Sequence, residues 1–316
     1  MNKNLRKLGK TEIEITPIGL GVMQFAGGRL MFPEISQDTK NEIIKMALDG
    51  GINWFDTAEA YGNGISERGL ANALKAAGKA DDEVLVATKW SPFFRTAKNI
   101  PKTIMARQQY LSPYTIDLHQ IHHPFSFSSP EDEMDAMADL VEAGKIRSVG
   151  VSNFSAKRMR RAYKALAKRG LPLASNQVQY SLLHRNIEIN GVLDTAKELG
   201  ITIIAWSPIA SGILTGKFHK NPELLMAKPS IRRVLLQRRL EKSEPIVEVI
   251  DEIALTHQVT TAQIALNWLI NYHGDTVVAI PGATRASHAR ESAGVMNFRL
   301  TEDEMSRIDE VSRIFR

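Results

Sequence analysis

One regularity constrains this chain more than any other. From about residue 18 to residue 294, short apolar runs rich in β-branched residues take turns with amphipathic segments of helical period. The runs are Ile18–Val22, Asn53–Asp56, Val84–Lys89, Ile116–His122, Ser148–Ser152, Ser175–Gln179, Ile201–Trp206 and Val277–Pro281. They are apolar on both faces, as strands of a parallel sheet are when helices cover it. Between them, Asn41–Asp49 puts Ile43, Ile44, Ala47 and Leu48 on one face. Glu131–Ala143 does the same with Met134, Met137, Leu140 and Val141. Ser129 and Pro130 predict the start of that second helix, and Gly144 its end. Eight such units in 316 residues predict one α/β domain over residues 1–316, a single (β/α)8 TIM barrel. A doubly wound open sheet is the alternative. However, the first strand runs from IGLG into Val22-Met23-Gln24, not into the G-x-G-x-x-G turn that cradles a dinucleotide phosphate.

Three pieces fall outside the repeat. Residues 5–15 predict a hairpin turning at Gly9-Lys10, placed to plug the barrel bottom. Residues 301–314 predict a C-terminal helix opened by a capping box of Thr301 and Glu304. Ser207–Ser243 is too long for a plain connection and reads as an excursion over one barrel mouth.

Composition narrows the class. Hydrophobic residues make up 43% and charged residues 24%, ordinary for a soluble protein with a sizeable core. No uncharged apolar run approaches the ~20 residues of a membrane helix, so no membrane partner is expected. The N-terminal stretch lacks the apolar core of a signal peptide and reads as mature sequence. Cysteine is absent, which excludes disulfides, thiolate metal sites and a cysteine nucleophile. The cytoplasm is the simplest compartment. A net charge of +5 raises the question of nucleic acid. Yet Lys157–Arg169 reads as one helix with a solvated basic face, and the arginines of Arg232–Arg239 could serve a polyanionic cofactor. No nucleic-acid partner is expected.

Position is the informative property of the polar residues. Asp56 ends the second strand, Lys89 the third and His122 the fourth. Ser152 and Asn153 end the fifth, Gln177 lies in the sixth, Trp206-Ser207 end the seventh and Gly282 follows the eighth. In a (β/α)8 barrel these ends converge on one mouth, where active sites sit. A single polar strand end is ordinary solvation; a succession of them is not. The segment FDTAEAYGNG adds Tyr61, with Gly62 and Gly64 permitting a tight turn after it. A phenol of pKa ~10 exchanges protons poorly at neutral pH, and a buried ammonium beside it favours the phenolate. Lys89 is therefore expected to lower the pKa of Tyr61, and Asp56 to keep Lys89 charged. His122 can donate to a carbonyl oxygen and orient it. Taken one by one, Asp56 and Lys89 also fit a structural ion pair and Tyr61 a packed loop aromatic. Strand alternation does not say which of His122 and His123 points inward. It does place adjacent residues on opposite faces, which argues against a shared zinc, and no metal is expected.

These residues carry a family resemblance over nearly the whole chain. The motifs are Asn53 through Ala58 with Tyr61-Gly62, Ala87-Thr88-Lys89, Ile116-Asp117-Leu118 with Ile121-His122-His123-Pro124, Gly150 through Phe154, Asn176-Gln177-Val178 and Ala205-Trp206-Ser207-Pro208. In that order, at strand ends, they resemble the aldo-keto reductases, and the short C-terminus resembles the bacterial and potassium-channel β-subunit-like branch. The resemblance implies a Tyr61, Lys89, Asp56, His122 tetrad and NADP(H) lying extended across the mouth. It assigns Ser152, Asn153 and Gln177 to the nicotinamide carboxamide and Trp206 to the nicotinamide face. Gly21, Val22, Met23 and Asp56 are further contacts, and Ser207, Pro208, Ile209 and Lys217 match the pyrophosphate-covering loop. Gly282, Thr284, Arg285, His288, Glu291 and Ser292 match the adenosine 2′-phosphate end, where His288 and Ser292 depart from the common glutamine and asparagine. His119 stands where tyrosine is frequent. The implied activity is interconversion of a small-molecule aldehyde or ketone with its alcohol. A cofactor-sensing regulatory subunit with little turnover is the alternative. Phe25, Trp90 and Phe125, with Phe93, Phe94 and Phe127, are expected on mouth loops around the substrate. A homo-oligomer is left open.

Overall fold

The computed structural model of the protein describes residues 5–27, 34–226 and 230–316, with the side chains of 225–238 outside the description. The Arg232–Arg239 stretch, Arg239 excepted, therefore lies outside the described side chains. A short antiparallel hairpin comes first, β1 (Arg6–Lys7) and β2 (Glu14–Ile15). Eight parallel strands follow: β3 (Leu20–Gly21), β4 (Trp54–Asp56), β5 (Leu85–Trp90), β6 (Leu118–Ile121), β7 (Ser148–Ser152), β8 (Leu173–Gln179), β9 (Thr202–Trp206) and β10 (Val277–Ala279). Each pairs with the next in sequence order. Bridges Ile18↔Ala279 and Gly21↔Gly282 bring the first strand against the last and close the (β/α)8 barrel. The Gly19 N–H donates to the Ala279 carbonyl at 2.9 Å, and the Gly21 N–H to that of Pro281 at 3.1 Å. Glycine is needed at 19 because a Cβ there would run into the Trp54 indole.

Two cores result. Leu8, Ile13 and Ile15 of the hairpin pack on Trp54, Ala87, Leu118, Ala174, Ile204 and Val278 inside the barrel. The hairpin is thus the expected floor plug, and each large side chain it buries contributes roughly 1.5–3 kcal/mol. The larger core fills the layer between strands and helices.

Helix Gln37–Asp49 starts four residues before the expected Asn41, because Ser36 caps it by accepting from the Thr39 N–H at 3.2 Å. Helix Pro130–Glu142 starts as expected, with Ser129 accepting from the Asp132 N–H at 3.1 Å. In the basic helix Ala156–Ala167, Arg160 pairs with Glu198 and Arg161 with Glu131, and just beyond it Arg169 pairs with Asp139 and Glu142. Carboxylates of neighbouring helices thus answer much of that stretch's charge. The excursion after β9 holds 3-10 turns at Ala210–Thr215 and short helices Lys217–Lys220 and Glu223–Met226. Its expected end at Ser243 is corrected, since residues 230–243 begin a 28-residue helix, Ser230–His257. Among the described residues no helix is long and apolar enough to cross a membrane.

The C-terminal helix, Glu302–Ser312, opens with the expected Thr301 capping box. Its other end is held by wholly buried Arg185, which pairs with Glu188 at 2.7 Å and Asp309 at 2.6 Å and donates to Ser312 at 2.6 Å. The guanidinium also lies over the rings of Trp268 and Tyr272. Arg185→Met would leave two carboxylates buried without their main partner, a loss of about 3–5 kcal/mol. Urea unfolding should show the midpoint falling by that equivalent with an unchanged slope; a loss under about 1 kcal/mol would mean that Arg316, which also pairs with both carboxylates, and Arg313, which pairs with Asp309, suffice.

Candidate active site

Inside the barrel, alternate residues of each strand point at the axis. At the upper end of β4 and β5 this brings Asp56 to Lys89. The Lys89 ammonium, fully buried, donates to Asp56 Oδ1 at 2.5 Å and to the Thr57 carbonyl at 2.8 Å. Its remaining direction faces the Tyr61 hydroxyl at 3.5 Å. The second oxygen of Asp56 accepts from Gln177 Nε2 at 2.9 Å and Gln120 Nε2 at 3.2 Å. Four strands therefore meet on one carboxylate. Gln120 was not singled out from sequence. Its signal is position: it is a polar residue next to the C-terminal end of β6, the end that faces the mouth.

Tyr61 reaches this pair from the turn after β4. The Tyr61 N–H donates to the Ala58 carbonyl at 3.0 Å, and Gly62 and Gly64 follow at φ 69° and 93°. Glu59 fastens the turn to the neighbouring strand end: its N–H donates to the Lys89 carbonyl, and its carboxylate accepts from the Ser91 N–H and from Arg95. The His122 ring stands edge-on to that of Tyr61, centroids 5.5 Å apart. His122 and His123 lie parallel, 4.6 Å apart at 7°. The expectation that they face opposite sides is corrected: β6 ends at Ile121, so strand alternation no longer governs them. Among the described residues no group of three metal-ligating side chains forms.

The electrostatics correct one expectation. Burial raises the Tyr61 phenol above its ordinary value; Lys89 pulls it down and Asp56 pushes it up, so the net direction is upward. Lys89 does not prevail, because the same dry site that strengthens its field disfavours the phenolate more. For Lys89 burial works against the charge, but Asp56 and then Tyr61 outweigh it, and the ammonium is held above its usual range. His122 is pushed down to about 2 by burial, then by Lys89 and His123. The site thus contains a neutral phenol, a charged lysine and a neutral imidazole.

Asn153, at φ 61°, organises the far side of the mouth. Its Oδ1 accepts from the Trp206 indole at 3.1 Å, and its Nδ2 donates to the His122 carbonyl at 3.3 Å and Ser152 Oγ at 3.0 Å. Beyond Trp206 the chain is strained: Ser207, Ala210 and Ser211 have φ of 52°, 49° and 56°, and Gly212 of 89°. Within the turn the Ala210 and Gly212 N–H groups donate to the Ser207 and Ile209 carbonyls at 2.9 and 3.0 Å. Pro208 and Ile209 lie within the same turn, and Lys217 follows it. After the neighbouring strand β10, Arg285 is the N-cap of helix Ala286–Gly294, whose first N–H groups take no side-chain cap. Burial, and then the charges of Arg285 and Lys217, hold His288 low in pKa. The Thr284 hydroxyl is 3.4 Å from His288 Nδ1, Glu291 is partly exposed and Ser292 is buried. Gly282 lies so close to the Gln24 side chain that a Cβ would collide with it. Gly21 pairs with Asp56, the Val22 N–H donates to the Asp56 carbonyl, and Met23 opens a 3-10 turn. The helix start without a side-chain cap, with Arg285 on it and the charge of Lys217 felt at His288, fits a phosphate-bearing cofactor.

Of the three expected pocket aromatics, two have buried side chains. Trp90 closes β5 and Phe25 sits in the 3-10 turn after β3, both buried in the core. Phe125 is exposed, as are Phe93, Phe94 and Phe127.

A closed parallel barrel with such a constellation at the C-terminal ends of its strands is the architecture of a barrel oxidoreductase. Comparison with known proteins agrees: the sequence profile of the Aldo/keto reductase family matches residues 17–313, and the chain belongs to that family. It is 32% identical to a chloroplastic pyridoxal reductase of Arabidopsis thaliana, covering 96% of this chain and 85% of that one. It is 31% identical to aldo-keto reductase YhdN of Bacillus subtilis, over 96% and 92% of the two chains. Among solved structures, the glycerol dehydrogenase AKR11B4 of Gluconobacter oxydans superposes with a TM-score of 0.80 at 26% identity, covering 98% of this chain and 95% of the other. The thermostable aldo-keto reductase Tm1743 superposes with a TM-score of 0.77 at 29% identity, over 97% and 99%.

The depressed basicity of His122 has a direct readout. Its ring resonances should stay at neutral-imidazole shifts from about pH 5 to pH 8, where an unperturbed histidine titrates. A midpoint for His122 inside that window would contradict the site electrostatics.

Proposed function

We propose that the protein is an NADP(H)-dependent reductase interconverting an aldehyde or ketone with its alcohol, with Tyr61 as the proton donor. The observation that carries this is the buried Lys89–Asp56 pair directly beneath the Tyr61 hydroxyl, at the mouth of a barrel of this family. A reduced nicotinamide, when bound, supplies the hydride. Ser152, Asn153 and Gln177 would hold its carboxamide and Trp206 its ring face. The 207–212 turn with Lys217 would hold the pyrophosphate, and Arg285 with the helix after it the 2′-phosphate. Gly21, Val22 and Met23 would line its near side, and Gly282, Thr284, His288, Glu291 and Ser292 its adenosine end.

The side chains divide the work. Neutral His122 orients the carbonyl oxygen without competing for the proton. Tyr61, kept as a phenol by burial, gives its proton to that oxygen as negative charge develops there. Lys89 stabilises the phenolate left behind, and Asp56 keeps Lys89 charged in a place too dry for a lone ammonium. The raised phenol fixes the pH sense: reduction holds level through neutral pH, and alcohol oxidation, which needs the phenolate, climbs with alkalinity. We also take residues 1–316 as one domain of a cytoplasmic protein. Its likeness to the Bacillus protein supports a place in the bacterial branch.

Tyr61→Phe should lower kcat for a good aldehyde by about 10²–10⁴-fold, the usual contribution of a positioned acid, while NADPH binding is unchanged. Normal kcat in that variant would remove Tyr61 from the role. Arg285→Ala should weaken NADPH binding by roughly 10- to 100-fold, the worth of a charge-assisted contact, and leave NADH nearly untouched. Equal weakening of both by fluorescence titration would detach Arg285 from the 2′-phosphate.

A further inference from the structure

Beside the proton donor stands a row of rings of which only His122 serves the steps above. His122, edge-on to Tyr61, is parallel to His123, and His123 is parallel in turn to Phe125, 5.8 Å away at 14°. Phe93 leans on both, 5.4 Å from His123 and 6.0 Å from Phe125. The row runs from the reacting hydroxyl out to solvent, where Phe93 is 49% and Phe125 60% exposed. Exposed rings gathered at one rim mark a binding surface more often than scattered ones do.

The row is fixed in place. The Phe127 N–H donates to the Arg95 carbonyl and the Ala97 N–H to Ser128 Oγ, both at 2.9 Å, which staples the two rim loops together. The Arg95 guanidinium reaches Glu59 at 2.8 Å, so the rim is anchored to the turn that carries Tyr61. Next to Phe93, Phe94 is held at φ 56° with its side chain 90% exposed. A bulky residue in the left-handed region with its ring in water is strain at a rim, a feature that clusters at ligand sites. The row also carries no charge. Burial, and then Lys89, hold His123 below its ordinary basicity, and its Nδ1 lies 3.2 Å from Asn153 Nδ2. A charged or heavily hydroxylated carbonyl compound would lose hydration against the Phe93 and Phe125 faces, which offer it no hydrogen bond.

We propose that Phe93, His123 and Phe125 are specificity-determining residues that select a planar aromatic carbonyl substrate, an arene or heteroarene bearing the aldehyde or ketone. This rests on the reductase reading, and the test separates the two. Benzaldehyde and cyclohexanecarbaldehyde have nearly the same size, and only the first is flat with a π-face. The ratio of their kcat/KM values, measured with NADPH, cancels intrinsic reactivity when variants are compared with wild type. Phe93→Leu and Phe125→Leu keep apolar bulk and should lower that ratio about threefold to tenfold each, the scale of an aromatic pair contact. His123→Leu should do the same, and His123→Phe should restore most of it. Ratios unchanged in all of these variants overturn the assignment, and a simultaneous loss of self-association in sedimentation would reassign the rings to a contact between copies. Calorimetric binding of benzamide against cyclohexanecarboxamide, in excess NADP⁺, reads the rings without turnover. Preference for benzamide that falls in the Leu variants, in a protein that reduces neither aldehyde, would sustain the ring assignment and remove the reductase reading. Turnover of both aldehydes with indifferent variants would do the reverse.

Discussion

An ammonium and a carboxylate sealed away from water hold the site together. Removing either ion from solvent costs several kcal/mol, and their mutual attraction repays this only with good geometry and satisfied remaining valences. Here Lys89 spends its donors on Asp56, the Thr57 carbonyl and the Tyr61 hydroxyl, while Asp56 takes up Gln120 and Gln177. Those partners come from β4, β5, β6 and β8 and the turn after β4. Only a closed sheet of fixed register brings that many strands to one point. Barrel closure, the hairpin plug and the packed floor thus all serve to keep one charge pair dry and aligned.

The pair also explains the behaviour of its neighbours. A single dry region raises the phenol, suppresses the imidazole and still supports the lysine, because only the lysine has a carboxylate in contact. The three groups diverge by environment more than by residue type.

Much of this was legible in the sequence, for identifiable reasons. Strand-helix alternation is a direct consequence of burying both faces of a parallel sheet, so the barrel followed from it. Asp56, Lys89 and His122 were legible because they end successive strands. The sign of the Tyr61 shift was not, since it depends on how deeply the turn is buried, a matter of three-dimensional depth. Gln120 escaped notice inside a strand whose other residues are core. The parallel stacking of His122 on His123 escaped because β6 stops one residue earlier than its pattern suggests. Trp90 looked like a loop aromatic because a wholly buried strand end and a loop start read alike in a sequence.

Glu59 carries a consequence for how such a protein can change. The turn bearing the acid and the rim bearing the rings share this one carboxylate, through Ser91 on one side and Arg95 on the other. The rim is therefore not an interchangeable module. A lineage that exchanged these loops for others would disturb the seating of Tyr61 unless an equivalent of Arg95 came with them. Drift in what the pocket accepts and drift in how fast the proton moves are mechanically coupled, and the more accessible evolutionary route is replacement of single rings on a retained loop backbone.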